Sequence, residues 1–413
     1  MACFSLDKAN FARFFLALVV LWLVFFDLYI SFIGAGASVV FALILMSLLF
    51  PSSFRFFRID KAFMAPGVIA FAMYFYILNR SIFSGDYSYL VSFTKVLLTI
   101  AVSIHITNFL VKKYGPDFYV KLLILAFLLQ SLSPWLYLFF DSFKDLVMAV
   151  QAPDVLGRDI HGRGTMALRK SFFSGAGGFF GMSTVMGFFL LVLTFFYIAK
   201  RINFSLYAFV FSFVCAAALI AGRSSIVFVV ASMAVLLFYK GFIGKVVIFC
   251  FLSFLSAISS LLILNEGFTN HLADNFVFMR WMLEPILNLQ MGEGVSSVST
   301  NVWSEMWVVP ELKTVLWGDG FYTSAEGLYY GGSDVGYMRQ IFFGGLPMVV
   351  MSILFVLYIT AEYPFFYRLI IMLALLTMHA KGNVILGAPM TMALLSSFSV
   401  YVVSLRENNS NES

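Results

Sequence analysis

Arginine is the side chain best matched to phosphate oxygens, because its planar guanidinium is always charged and presents a rigid fork of donors. Several arginines in this chain stand apart from the other basic residues. Arg223 lies in IAGRSSIVF, a junction between two apolar runs with almost no polar linker, and Arg280 lies in FMRWMLEP. Arg339 follows Asp334 in SDVGYMRQ, within a Gly- and Tyr-rich stretch that runs from Thr314 to Pro347. A further group, Arg158, His161, Arg163, Arg169 and Lys170, occupies GRDIHGRGTMALRKSFFSGAGGFFG. Its Gly-rich continuation leads into a helix start, where free backbone N–H groups favour an anion. Arg163 and Arg169 are its candidate ligands, Arg169 being nearest the Gly-rich turn. His379 and Lys381, in MHAKGN, are candidates for the wall of the same site. Together these residue types suit a cationic grip on a diphosphate, with Asp334 as general base or as the group that orients a hydroxyl.

Each candidate also has a purely structural role open to it. Arg223 can snorkel from a helix end, and Arg280 can anchor an interfacial helix to headgroups. Arg339 can pair with Asp334, and Asp334 can cap a turn or a helix. Asp319, between two glycines in WGDGF, reads as a turn residue.

The elements that must position these groups are membrane helices. The chain has 413 residues, 62% hydrophobic and only 11% charged, with a mean hydropathy of +0.95. Soluble domains sit nearer half apolar and a quarter charged, so the composition implies an all-α, polytopic integral membrane protein forming one domain over 1–413. Apolar runs of about 17–25 residues can cross a bilayer, and twelve are expected near 11–31, 34–50, 62–79, 89–111, 117–140, 179–199, 203–221, 224–239, 245–264, 341–360, 366–379 and 384–404. The last two can also form one broken hairpin. The runs are continuously apolar, which favours helices over a barrel. Phe11 to Phe32 lacks a small-residue cleavage pattern and is expected to be kept as the first span.

Lys and Arg concentrate on one side of alternate spans: Lys8/Arg13, Arg55/Arg58/Lys61, Lys112/Lys113, Lys200/Arg201, Lys240/Lys245, Arg368 and Arg406. The positive-inside rule makes that side cytoplasmic and places both termini there. Two long outer loops remain, 141–178 and 265–340, and they carry Arg163, Arg169, Arg280, Arg339 and Asp334, while Arg223 lies in the short outer junction between the spans near 203–221 and 224–239. Their Trp, Tyr and Phe content argues against disorder, and the apolar piece FVFMRWMLEPILNLQ suits a helix lying on the membrane surface.

Several chemistries lack their residues. Cys3, Cys215 and Cys250 show neither ligand nor disulfide spacing. No phosphate loop supports ATP-driven transport, no His/Cys cluster suggests zinc, and no D-x-D pair lies on an early outer loop. No cofactor, metal or nucleic-acid partner is therefore expected. A transporter of lipid-linked sugars is an alternative that the number of spans allows, but transport sites usually lie mid-membrane between broken helices, and Lys95 is the main ionisable residue inside a span.

GRSSIVF at the start of a span, then FMRWMLEP, then LWGDGF and SDVGYMRQIFFGGLP resembles the O-antigen polymerase (Wzy) family, in the superfamily shared with the O-antigen ligases. The detailed likeness covers Gly222 to Pro347. Over the rest of the chain it lies in architecture and, loosely, in Arg169 of the first outer loop. The resemblance implies a metal-independent glycosyltransferase at the periplasmic face of the bacterial inner membrane. Such an enzyme joins oligosaccharide repeat units carried on undecaprenyl diphosphate, as donor and acceptor, into O-antigen or capsular polysaccharide and releases undecaprenyl diphosphate. It further implies membrane lipid, a chain-length regulator and a flippase as partners. Arg223 and Arg280 match the family's diphosphate-holding arginines. Asp334 stands where the related ligases carry a catalytic histidine, a departure that favours polymerase over ligase and leaves the general base open.

Overall fold

The structure is a computed structural model that describes residues 8–28, 37–50, 53, 61–151, 171–174, 180–241, 244, 265, 267, 269–271, 277–292 and 303–412. It is all-helical, at 81% helix, with no strand among the described residues. In chain order the helices are α1 (Lys8–Phe26), α2 (Ala37–Leu49), α3 (Met64–Ser84), α4 (Ser88–Tyr114), α5 (Pro116–Phe139) and the short α6 (Asp141–Ala149). Next come α7 (Phe180–Ile198), α8 (Phe204–Ala221) and α9 (Arg223–Gly241). The last are α10 (Val277–Gln290), α11 (Leu312–Trp317), α12 (Gly336–Ile359), α13 (Phe365–His379) and α14 (Pro389–Glu412).

Among the described residues, seven helices are long and apolar enough to cross a membrane: α3 with its leading turn from Lys61, α4, α5, α7, α8, α9 and α12. The expected spans near 11–31, 34–50 and 366–379 appear as shorter apolar helices, Ala12–Phe26, Ser38–Leu48 and Phe365–His379. The expected span 245–264 lies outside the described residues. The last expected span starts later than periodicity suggests, at Pro389, after a turn in which Leu386 takes φ +63. Proline suits a first helical position because its missing N–H is one the helix leaves unbonded there.

Apolarity on all sides buries a helix, whereas a one-sided stripe leaves it at the rim. α7 is apolar around its whole circumference and forms the centre, with 78% of its membrane-length window buried, against 28% for α3. α3 turns Val68, Phe71, Phe75 and Phe83 outward, a surface suited to lipid and not to water. α4 and α14 run together through the interior, joined by hydroxyl contacts. Thr107 of α4 and Tyr119 of the neighbouring α5 each reach the Ser397 Oγ at 2.5 Å, and Ser103 of α4 donates to the Ala393 carbonyl at 2.6 Å. Such contacts hold membrane helices in register for about 0.6 kcal/mol each. Lys95, the ionisable residue inside α4, pairs with Asp27 at 2.5 Å, and Ser38 donates to the other Asp27 oxygen.

The two ends of the bundle differ in chemistry. One end carries the Arg201–Asp117 and Arg406–Glu362 pairs and Lys240 over the Tyr197 ring. The other carries the α3–α4 turn, the start of α9, the start of α12 and the α13–α14 turn, and the candidate residues gather there.

Candidate functional site

The site is built around a break in α12. Gly345 adopts φ 66 and ψ −164 inside the helix, and Pro347 follows without a backbone N–H. A broken helix at membrane depth must have its freed carbonyls bonded by something other than water. The segment that leads into α12 does this: Asp319 N–H donates to the Phe342 carbonyl at 2.6 Å and Gly320 N–H to that of Phe343 at 3.0 Å. Tyr76 of α3 donates to the Gly344 carbonyl at 2.7 Å. A Cβ on Gly345 would lie 2.6 Å from the Leu316 carbonyl, so only glycine permits this approach of α11 to α12.

A single carboxylate then pins the loop to the α3–α4 turn. Asp86 Oδ2 accepts from the N–H groups of Tyr322 (2.7 Å) and Thr323 (2.9 Å), and from the Thr323 hydroxyl at 3.2 Å. Oδ1 accepts from Ser88 N–H at 2.9 Å and from the Ser88 hydroxyl. Burial alone would raise the Asp86 pKa, but the Ser88 hydroxyl and the N–H groups of Thr323, Tyr322 and Ser88 outweigh it and hold the carboxyl below its ordinary value. Arg80 adds a bond to the Gly318 carbonyl at 2.5 Å. Asp319 has the turn role expected of it, accepting from Thr314 at 2.7 Å and from Tyr330 at 3.3 Å.

This docking delivers two tyrosines to Arg339. The guanidinium carbon lies 3.8 Å from the Tyr322 ring centroid and 4.0 Å from that of Tyr329, and Tyr322 in turn stacks on Tyr89 of α4 at 4.4 Å. Arg339 is 9% exposed, and its Nε has no hydrogen-bond partner among the described residues. With two rings against it, the guanidinium binds through its in-plane N–H edge, the geometry that suits a phosphate or carboxylate. The Tyr322 hydroxyl accepts from Asn383 Nδ2 at 2.9 Å. Burial raises its pKa, Arg339 opposes the rise, and the charge of Asp334 adds to it, so Asp334 and Arg339 act on the same hydroxyl.

His379 joins the group from α13. Its Nδ1 accepts the N–H groups of Val384 and Ile385, each at 3.2 Å, so the hydrogen-bond network assigns the ring proton to Nε2. That Nε2–H is buried and unpartnered among the described residues. Tyr337 meets the imidazole edge-on at 4.7 Å. Gly336, two residues after Asp334, lies so close that a Cβ there would sit 2.5 Å from His379 Nδ1 and Cε1. Of the two residues that sequence reading placed on the site wall, His379 ends α13 and Lys381 lies in the turn that follows, which also holds Asn383, the partner of the Tyr322 that lies against Arg339.

Arg223 and Arg280 form a second group. Arg223 sits in the 3-10 turn that opens α9 and pairs with Glu284 of α10 at 3.1 Å. Arg280 is exposed and stands one helical turn before Glu284 on the same helix. The two groups share one end of the bundle through the start of α7, where Ser183 contacts Ser224 at 3.2 Å and the Phe180 ring lies against Gly382. Arg163 and Arg169 lie outside the described residues.

Sequence reasoning passed over Tyr322, Tyr329, Asn383, Asp86 and Glu284. Glu284 carried a usable signal, four residues after Arg280 on a helical pattern. The tyrosines carried none, because their partner is reached only after the loop folds back. Compared with known proteins, the chain matches no family model, no curated protein and no solved structure.

Proposed function

We propose that this chain is a lipid-linked polysaccharide polymerase. It works at the periplasmic face of a bacterial inner membrane, in a frame of about twelve spans with cytoplasmic termini and two large outer loops. The observation that carries the reading is the buried donor pair at the end of the bundle away from the basic termini. Arg339 lies against the rings of Tyr322 and Tyr329 with its Nε unpartnered among the described residues, and His379, whose Nε2–H is likewise unpartnered among them, abuts Gly336 three residues before Arg339. Fixed donors in a dry setting stabilise a leaving diphosphate without reorganisation.

In the proposed reaction a hydroxyl of the acceptor glycan attacks the anomeric carbon of the donor glycan. The new glycosidic C–O bond forms as the C–O bond to undecaprenyl diphosphate breaks. Asp334 takes the hydroxyl proton, and the leaving diphosphate carries away the electron pair, its charge met by Arg339, Arg223 and Arg280. His379 serves as a neutral donor, since its Nδ1 is already occupied. Arg163 and Arg169 complete the diphosphate and glycan contacts from the first loop.

A ligase of the same superfamily is favoured by one observation, the imidazole of His379 against Gly336 beside Asp334. The tautomer counts against it, because an imidazole that donates from Nε2 and accepts at Nδ1 has no nitrogen left to act as a base. Glycan profiling of a gene-deletion strain separates the two. Single-repeat glycans support the polymerase, and long lipid-linked polymer left unattached supports the ligase. Restoring the gene with Arg223→Ala, Arg280→Ala or Asp334→Ala is expected to give single repeats at normal membrane levels of protein. Long chains from all three variants would refute these assignments.

A further inference from the structure

Beside the buried cluster two tryptophans remain on the surface in a fixed arrangement. Trp303 donates its indole Nε1–H to the Ala380 carbonyl, next to His379, at 2.9 Å. Trp307 meets it ring-to-ring at 5.8 Å and 88°, forming a right-angled corner. The turn between them is tied to the catalytic loop. Ser333, the neighbour of Asp334, donates its hydroxyl to the Met306 carbonyl at 2.7 Å, and Met306 packs against Val335, Met338 and Phe342. Despite this anchoring the indoles are 36% and 42% exposed.

Aromatic side chains at a membrane interface ordinarily keep the polar edge of the ring for headgroups and water. Trp303 spends that edge on a protein carbonyl, so its exposed part is carbon ring and carries no N–H for headgroups or water. A ring face is electron-rich and attracts the weakly positive C–H groups on one side of a pyranose ring. Glu305, exposed in the same turn, and Asp334, next to the Ser333 that bonds that turn, are carboxylate acceptors of the kind that sugar hydroxyls need. Rigid aromatic faces next to carboxylates match a sugar and match neither an acyl chain nor an anion.

We infer that the Trp303–Trp307 corner is a saccharide subsite that seats one sugar of the lipid-linked glycan beside Asp334 and His379. The inference deepens the polymerase reading and rests on it for the identity of the glycan, but the corner itself can be tested without catalysis.

The purified full chain in nanodiscs is titrated with the repeat-unit oligosaccharide released by mild acid from the surface polysaccharide of the organism that carries the gene. The parent is expected to bind, and Trp303→Ala/Trp307→Ala to bind about tenfold or more weakly, with Tyr at both positions restoring most of the loss. Equal binding by parent and double-alanine variant, or no binding by the parent, overturns the subsite. Nanodiscs made with dibrominated phosphatidylcholine give a second reading. The fluorescence lost in Trp303→Phe/Trp307→Phe should be the part that bromine leaves unquenched, and strong quenching of that part would make the corner a membrane anchor instead. Chain-length profiles of the restored deletion strain then separate the two ideas. If the parent gene restores no polymer, the polymerase reading fails whatever the binding shows. If it does and the double-alanine variant makes the same ladder, the subsite alone fails.

Discussion

Asp86→Ala is the sharpest perturbation of the site's frame. The wild-type carboxylate accepts two backbone N–H groups of the loop, Tyr322 at 2.7 Å and Thr323 at 2.9 Å, and lies outside every membrane span. A hydrogen bond to a charged acceptor contributes about 1.5–3 kcal/mol where buried. Asp86 is half-buried, so about 2–4 kcal/mol for the pair is the expected loss in loop docking. At about 1.4 kcal/mol per factor of ten, the Tyr322 and Thr323 amides should exchange with deuterium roughly thirtyfold to a thousandfold faster, while amides in α7 and α14 keep their parent rates. Asp86→Asn, with one oxygen left, should lie between. The dependence on pH has a definite sign. The folded-state pKa is below the ordinary carboxylate value, so the docking energy is fully present above that ordinary value and is lost as pH falls through the lowered one. Exchange at Tyr322 and Thr323 within about threefold of the parent in Asp86→Ala would refute the reasoning and leave Arg80 and the α12 carbonyls as the real anchors.

Two further outcomes follow from the geometry. Gly336→Ala places a Cβ 2.5 Å from His379 Nδ1 and Cε1 and 2.6 Å from its carbonyl; because the imidazole is tied to Val384 and Ile385 it cannot swing away, so a cost of about 1–3 kcal/mol is expected, read as a lower melting temperature together with reduced polymer length. Glu284→Gln removes the carboxylate paired with Arg223: it should tighten binding of inorganic pyrophosphate by the purified protein severalfold, and the charge swap Arg223→Glu/Glu284→Arg should restore the pair but not the binding, whereas unchanged pyrophosphate affinity in Glu284→Gln would show that Arg223 is not an anion ligand.

The membrane frame was legible because lipid leaves a chain few options. A long apolar run with no water to bond its backbone must bond it internally, so α3, α4, α5, α7, α8, α9 and α12 could be placed from apolar length alone. Charges were legible for a similar reason, since Lys and Arg cost too much in hydrocarbon to be placed freely. Even the break in α12 had a local signature, in the FFGGLP that holds Gly345 and Pro347. What α12 does with the break was not visible, because its freed carbonyls are capped by Asp319 and Gly320 from a loop with its own turn geometry.

Sequence alone therefore determined that this is an all-helical chain suited to a membrane, and it singled out Arg223, Arg280, Asp334, Arg339 and His379 as candidates on residue type alone. Tertiary structure decided their company. It sandwiched Arg339 between Tyr322 and Tyr329, set His379 against Gly336 with its proton on Nε2, and gave Arg223 to Glu284. The physical reason is range: helix formation in lipid is governed by neighbours a few residues apart. The partners of a buried charge are instead chosen by desolvation, which acts on whatever the fold brings within a few ångströms, here residues as distant in sequence as Asp86 and Tyr322.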